Sequence, residues 1–197
     1  MNNSSVLELA HAAGDDALAF RRKLMADHPK ALAVLDAVAQ RGGWGKKAAD
    51  GRYRGLAHFR ATASYVAALA EISVKDGNRV KVHKIVVGID PGYTVNPAQI
   101  ERQMASGTVF GLSALFLQEC TVKNGSIEQE NFDSYDSMRI AQMPKVESII
   151  MPSGGFWGGV GEPTVCVAAP AVLNAYFAAT GKRIRSFPLK NHGIQIV

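Results

Sequence analysis

A single carboxylate, Glu162, follows a glycine-rich segment and directly precedes a proline. Five glycines lie within the eight residues before it, in the sequence GGFWGGVGE. Glycines let a backbone turn sharply and approach a ligand, and a helix predicted to begin at Pro163 would direct its amide dipoles towards the carboxylate. Glu162 is therefore a candidate general base. The alternative is a helix cap, although glutamate is not among the residues that cap best.

A second candidate site lies on a helix predicted to open at Asn96 and Pro97 and to run towards Leu117. Gln103 is followed by Ser106 and Gly107, and further small residues continue at helical spacing. A glycine inside a helix costs about 1 kcal/mol relative to alanine, so a specific reason for this row is expected. The reason is either close packing against another helix or the approach of a ligand. The sequence leaves both open.

The histidines and cysteines do not form a recognisable site. The chain has five histidines without the spacing of metal ligands, and Cys120 and Cys166 belong to no CxxC motif. We therefore predict no metal ligands in this chain, and any iron or zinc would be supplied by another chain. Cys166 is most simply a small residue in the core of a helix.

Apolar residues at helical spacing between Val6 and Arg41 predict two or three short helices. A segment rich in glycine and lysine follows and predicts a boundary near Gly51. The expected organisation is a helical N-terminal segment and linker over residues 1–50, and an α+β domain over residues 51–197.

The sequence patterns of residues 51–197 predict strands and helices in alternation. YVAALAEISV and RVKVHKIVVGID, joined by KDGN, form a β-hairpin pattern, and a second hairpin is centred on Asn124-Gly125. Further strands are predicted in KVESIIMPS and RIRSFPL. The helix after Pro163 should end at Gly181, with Pro170 indicating a kink or a later start. The fold class is α+β with a helical N-terminal appendage.

Composition limits the function. The chain has 197 residues, 47% of them hydrophobic and 20% charged, which is typical of one globular unit. The net charge of +5 is scattered and lacks a basic stripe with interleaved aromatics, so nucleic-acid binding is not expected. Apolar runs fall short of the roughly 18 residues of a membrane span. The first residues lack the pattern of a secretory signal.

Several motifs resemble a known family when they are taken in order. They are ELAHAAGDDALAFR, GGWGK, GRYRGLAHF, VHKIVVGIDPGYTVNP, QMASGTVFGLSAL, GGVGEP and APAVLNAYFAATGKRIRSFPL. Together they resemble the C-terminal part of the large, molybdenum-binding subunit of the xanthine dehydrogenase and aldehyde oxidase family. The similarity is greatest to the isoquinoline 1-oxidoreductase beta-subunit and aldehyde dehydrogenase type. The resemblance implies a mixed sheet of hairpins with two packed helices, like the family's molybdopterin-binding domain.

The resemblance also implies roles for individual residues. Glu162 matches the family's active-site base, and Gln103 matches a glutamine that contacts the pterin. The neighbouring small positions are implied to border the cofactor, namely Ser106, Gly107, Gly159 and Gly161. The implied cofactor is molybdopterin carrying molybdenum, expected in its cytosine dinucleotide form, with 2Fe-2S clusters on a partner subunit. The implied reaction oxidises aldehydes or N-heteroaromatics with oxygen derived from water.

Departures from the family pattern accompany this resemblance. Ser106 stands where the family has glycine, Pro91 replaces a cysteine, and GEPTVCV replaces GEPGTPP. The expected partners are the remaining part of the large subunit, an iron–sulfur small subunit and a small-molecule substrate. The isolated chain is expected to be inactive, in the cytoplasm or with a partner in the periplasm. The alternative is a non-catalytic relic or assembly module that keeps the fold without cofactor.

Overall fold

A mixed β-sheet lies between two layers of helices. The computed structural model describes residues 3–197, with side chains from Val6 onward, so Met1 and Asn2 of the predicted N-terminal segment lie outside the described residues. The helices are α1 (Asn3–Ala12), α2 (Ala17–Leu24), α3 (Pro29–Gly42), α4 (Pro97–Phe116) and α5 (Val165–Thr180). The strands are β1 (Arg52–Ala61), β2 (Ser64–Lys75), β3 (Arg79–Asp90), β4 (Val122–Lys123), β5 (Ser126–Ile127), β6 (Lys145–Ile150) and β7 (Gln195–Ile196). Short 3₁₀ turns cover Ile140–Gln142 and Leu189–His192.

Three long antiparallel strands form the centre of the sheet. Strand β2 pairs with β1 on one side and with β3 on the other. The predicted β2–β3 hairpin is confirmed, and its turn places Asp76 and Gly77 at φ values of 55° and 75°, as an Asp-Gly hairpin turn requires. Strands β6 and β7 both add in parallel to the free edge of β3, which makes the sheet mixed. The predicted α+β class is therefore confirmed.

Strand β3 is buried on both faces, which explains its nearly continuous apolar sequence. Ile85 and Val87 belong to the core that β3 forms with α4 and α5. Val86, between them, belongs to a second core with Val34 and Leu35 of α3. The predicted N-terminal helices therefore include one that packs on the sheet. The division of the chain near Gly51 stays a prediction.

Sequence patterns gave no indication of β1. Its residues facing α5 are small, including Gly55 and Ala57, so the strand lacks an alternating large apolar pattern. A Cβ atom on Gly55 would collide with the carbonyl of Ala171 and the amide of Ala175. The side-chain amide of Asn174 donates to the carbonyl of Leu56 at 2.9 Å. Helix α5 thus lies directly on the backbone of β1.

Two predictions near the C-terminus need correction. The closing strand predicted in RIRSFPL is wrong, since this segment forms no strand and the last strand is β7. Pro188 in it has no amide hydrogen to donate to a sheet, and Arg183 and Arg185 turn towards Glu8 instead. The α-helix begins at Val165, after a turn at Pro163, so it starts two residues later than predicted, and Pro170 lies inside it. It ends at Gly181 as predicted.

We expect the Gly55→Ala substitution to lower the free energy of unfolding by about 1–3 kcal/mol, because the added methyl group meets the backbone of α5 rather than a flexible side chain. Urea denaturation measures the change. Gly161→Ala is the matched control, since a Cβ there meets only Oε1 of Gln103 at 3.9 Å. The control should stay within about 0.5 kcal/mol of the parent. Equal stability of the two variants would contradict the close approach of α5 and β1.

Candidate functional site

The candidate residues lie on α4 and on the loop after β6, which is attached to the end of β3. A buried carboxylate, Asp90, is the last residue of that strand and is 2% exposed. One of its oxygens accepts the amide hydrogens of Gly92 at 2.8 Å and Ser153 at 3.2 Å. Since a buried carboxylate needs such donors, Asp90 fixes the loop after β3 and the loop after β6 to one point. Sequence reasoning did not select Asp90. The signal that could have found it is a carboxylate between an apolar strand and a Pro-Gly turn.

Backbone contacts then join the two loops directly. The amide of Gly154 donates to Gly92 at 2.8 Å, and the amide of Gly158 donates to Pro91 at 2.9 Å. Gly92 has a φ of 76°, and a Cβ there would overlap the carbonyl of Phe156. The glycine at this position is required by both conformation and space.

The N-terminal helical layer supports the glycine-rich loop. Lys30, at the start of α3, donates from Nζ to the carbonyl of Gly154 at 2.8 Å. The same ammonium group lies 4.8 Å from the ring centroid of Phe156, within the range of a cation–π contact. On the outer side of the loop, the rings of Trp157 and Tyr93 are 4.8 Å apart, and Trp157 remains exposed. The loop is therefore held from α3 while it presents aromatic surface outwards.

Glu162 lies in the turn that leads into α5. Its backbone carbonyl accepts the amide hydrogen of Val165 at 3.0 Å. Its side chain is exposed and makes no hydrogen bond or ion pair with any other described residue. Two residues later, the buried Thr164 donates from Oγ1 to the carbonyl of Met104 at 3.3 Å. Glu162 thus lies on an anchored turn, with its side chain exposed.

The small residues of α4 pack against this turn. A Cβ on Gly107 would collide with Oγ1 of Thr164, and a Cβ on Gly111 would lie 3.0 Å from the carbonyl of Val165. The packing explanation of the row therefore holds for both glycines. Their close approach also brings together residues far apart in sequence, because Oε1 of Gln103 lies 3.9 Å from where a Cβ of Gly161 would be.

The other predicted site residues lie at different places around the contact between α4 and the turn that leads into α5. Ser106 is exposed, and its hydroxyl donates to the carbonyl of Gln103 at 3.1 Å. Gly159 is exposed on the loop side and contacts the turn between β1 and β2. The structure thus places Gln103 beside Gly161, the residue that precedes Glu162, and all three residues are exposed. Gly107 is buried.

Cys166 is the nearest titratable neighbour of Glu162 along α5. Burial raises the pKa of its thiol, and the charge of Glu162 adds to that effect. The side chain is half-buried, so the expectation of a fully buried core residue is only partly met. Within residues 3–197, no three His, Cys, Asp or Glu side chains lie close enough together to hold a metal ion.

Comparison with known proteins identifies the family. The family model described as the molybdopterin cofactor-binding domain matches residues 5–144, which include Gln103 and most of the sheet. The chain belongs to the molybdopterin cofactor-binding domain family. The match ends before the loop that carries Gly159, Gly161 and Glu162.

Curated relatives of this domain extend over nearly the whole chain. The beta-subunit of isoquinoline 1-oxidoreductase from Brevundimonas diminuta is 27% identical over 191 residues, covering 95% of this chain and 24% of the relative. A nicotinate dehydrogenase chain from Pseudomonas putida is 27% identical over 207 residues, covering 95% of this chain and 17% of the relative. The chain therefore spans about a quarter or less of the length of these relatives.

Solved structures share the fold. Quinoline 2-oxidoreductase from Pseudomonas putida 86 aligns with a TM-score of 0.57 at 18% identity, over 64% of this chain and 17% of that chain. Aldehyde oxidoreductase from Desulfovibrio gigas aligns with a TM-score of 0.53 at 26% identity, over 64% of this chain and 14% of that chain. The molybdopterin cofactor-binding fold is thus found in this chain. None of the helices within residues 3–197 has the length and apolar character needed to cross a lipid bilayer.

Proposed function

We propose that the chain is the C-terminal cofactor-binding portion of a molybdenum hydroxylase large subunit, with Glu162 as the general base. The observation that carries this proposal is the approach of Gln103 to Gly161, the residue that precedes Glu162, and we call this place the junction. The side-chain amide of Gln103 and the carboxylate of Glu162 come from separate elements, belong to exposed residues and have no hydrogen-bonding partner among the described side chains. Polar side chains held in this way beside an exposed glycine backbone suit a ligand rather than the stability of the fold.

The residues at this junction fit molybdopterin. Gln103 offers both a donor and an acceptor to a polar ring system, and Ser106 offers a hydroxyl on the same exposed side of α4. Gly161 leaves its backbone open, since a Cβ there would have nothing closer than 3.9 Å. Within the described residues, no cluster of three His, Cys, Asp or Glu side chains is placed to hold a metal ion directly.

Bound molybdopterin with molybdenum would supply two-electron oxidation with oxygen derived from water. The contribution of Glu162 is to accept the proton released when that oxygen becomes a nucleophile. The oxygens of Glu162 have no hydrogen-bonding partner among the described residues, and the turn that carries it is anchored by Thr164. Gln103 orients the pterin, and the backbone of Gly161 allows it to approach closely.

The substrate and partners follow from the relatives. Isoquinoline and nicotinate, named for two of them, are N-heteroaromatics, and aldehydes are named for others. We propose that this chain serves a substrate of one of these classes.

Because it spans only a fraction of its relatives, we propose that the remaining large subunit and an iron–sulfur subunit with 2Fe-2S clusters complete the enzyme. The cofactor would be the cytosine dinucleotide form. The isolated chain would be inactive, and its compartment would be that of its partner.

We expect Glu162→Gln to reduce turnover of the assembled enzyme by at least about 100-fold, because the variant keeps the shape of the side chain but loses the proton acceptor. Molybdenum content should be unchanged. Steady-state kinetics with an aldehyde and an N-heteroaromatic, together with metal analysis, measure both quantities. Glu130→Gln, on an exposed loop, is the matched control and should keep normal turnover. Normal turnover in Glu162→Gln would contradict the role of Glu162.

We expect Gln103→Ala to weaken cofactor retention by roughly 1–3 kcal/mol, which is the cost of a lost buried hydrogen bond. This corresponds to about 5- to 150-fold weaker binding of the cofactor at equilibrium. Metal content after extended dialysis of the assembled enzyme measures the effect. Gln40→Ala, exposed on α3 across the sheet, is the control. Equal molybdenum retention in the two variants would show that Gln103 does not contact the cofactor.

A further inference from the structure

The turn between β1 and β2 has an unusual backbone. Thr62 and Ala63 have φ values of 46° and 66°, and neither is a glycine. Left-handed conformations of this kind cost of order 1–3 kcal/mol for residues with side chains. They persist where surrounding contacts determine the conformation. The contacts of this turn with the glycine-rich loop provide such a determinant.

The turn holds both polar groups of one glycine. The amide of Gly159 donates to the carbonyl of Thr62 at 2.8 Å, and the hydroxyl of Ser64 donates to the carbonyl of Gly159 at 2.6 Å. The side chain of Ser64 is completely buried. A buried hydroxyl with a single short acceptor is a strong positional restraint, because breaking the bond leaves two unpaired groups.

The same contacts explain two of the glycines before Glu162. A Cβ on Gly158 would overlap Oγ of Ser64, and a Cβ on Gly159 would lie 2.8 Å from Oγ1 of Thr62. At these two positions the absent side chain makes room for the β1–β2 turn. The glycine-rich loop and the β1–β2 turn therefore pack closely against each other through contacts within this chain.

Glu162 lies between two fixed points. Upstream, Gly159 is held by Thr62 and Ser64. Downstream, Thr164 is buried, bonded to Met104 and packed against Gly107. Four residues span the interval from 160 to 163, so the backbone that carries the carboxylate has few alternative paths. The backbone position of the base is therefore restrained without any hydrogen bond to the carboxylate oxygens.

We propose that Ser64, with the left-handed Thr62-Ala63 turn, is a positioning residue that sets the location of the Glu162 carboxylate. The inference rests on the proposed function of Glu162 as base. It adds that a hydroxyl on the opposite side of the glycine loop, which touches neither substrate nor cofactor, controls how productively that base is placed.

The test compares Ser64→Ala with Ser73→Ala in the assembled enzyme. Ser73 lies near the other end of β2, where its hydroxyl is hydrogen-bonded to Nε2 of His83 at 2.7 Å. Ser73→Ala is the matched control because it also removes one hydrogen-bonded hydroxyl from β2. Hydrogen exchange of residues 157–163 should become about five- to tenfold faster in Ser64→Ala and stay unchanged in Ser73→Ala. Unchanged exchange in Ser64→Ala, or an equal rise throughout the sheet, would overturn the proposal.

The kinetic measurement separates positioning from general stability. Ser64→Ala should lower kcat by about tenfold or more, with KM and molybdenum content unchanged, because misplacement of the base affects the chemical step. If the alanine variant does not assemble, Ser64→Cys replaces it, since it has nearly the same volume and a weaker donor. Parental kcat in these variants would overturn the positioning role alone. Normal turnover in Glu162→Gln would instead overturn the proposed function on which it rests.

Discussion

The site depends on the close approach of α4 to the segment that begins α5. Gly107 and Gly111 have no side chains, and the space they leave is occupied by Thr164 and the backbone of Val165. A methyl group at either position would force the two elements apart. Gln103 would then move away from Gly161. Close packing and ligand binding look like alternatives in the sequence, but the proposed function needs both, because the packing brings Gln103 beside Gly161.

The rest of the structure holds the glycine-rich loop against that junction. Asp90 ties the loop to the end of β3, and Lys30 reaches it from the opposite helical layer. The parallel addition of β6 to β3 delivers the loop to this end of the sheet. Each restraint acts on backbone groups, so the loop can be rich in glycine and still have a defined path. The side chains of Glu162 and Trp157 remain exposed on the outer surface of the loop.

The sequence predicts the parts of this fold that have strong local signals. The β2–β3 hairpin follows from alternation and an Asp-Gly turn, and α4 follows from Asn96 and Pro97. Strand β1 escapes prediction because its buried face is made of small residues selected by contact with α5. The closing strand is placed wrongly because a free sheet edge, rather than local pattern, determines where the last residues pair. The approach of Gln103 to Gly161 depends on packing between distant segments, so local sequence patterns could not predict it. Sequence patterns did not indicate Asp90 and Ser64, because both residues act through hydrogen bonds to backbone groups that are distant in the sequence.

The central claim is that the chain works as the cofactor-binding part of a larger molybdenum hydroxylase. The most direct measurement is to purify the tagged chain gently from its native host and to determine its co-purifying proteins and its molybdenum and iron content. The account predicts a larger partner, an iron–sulfur subunit and close to stoichiometric molybdenum. A chain that purifies alone and without metal would contradict it, and would indicate a module that keeps the fold without the cofactor.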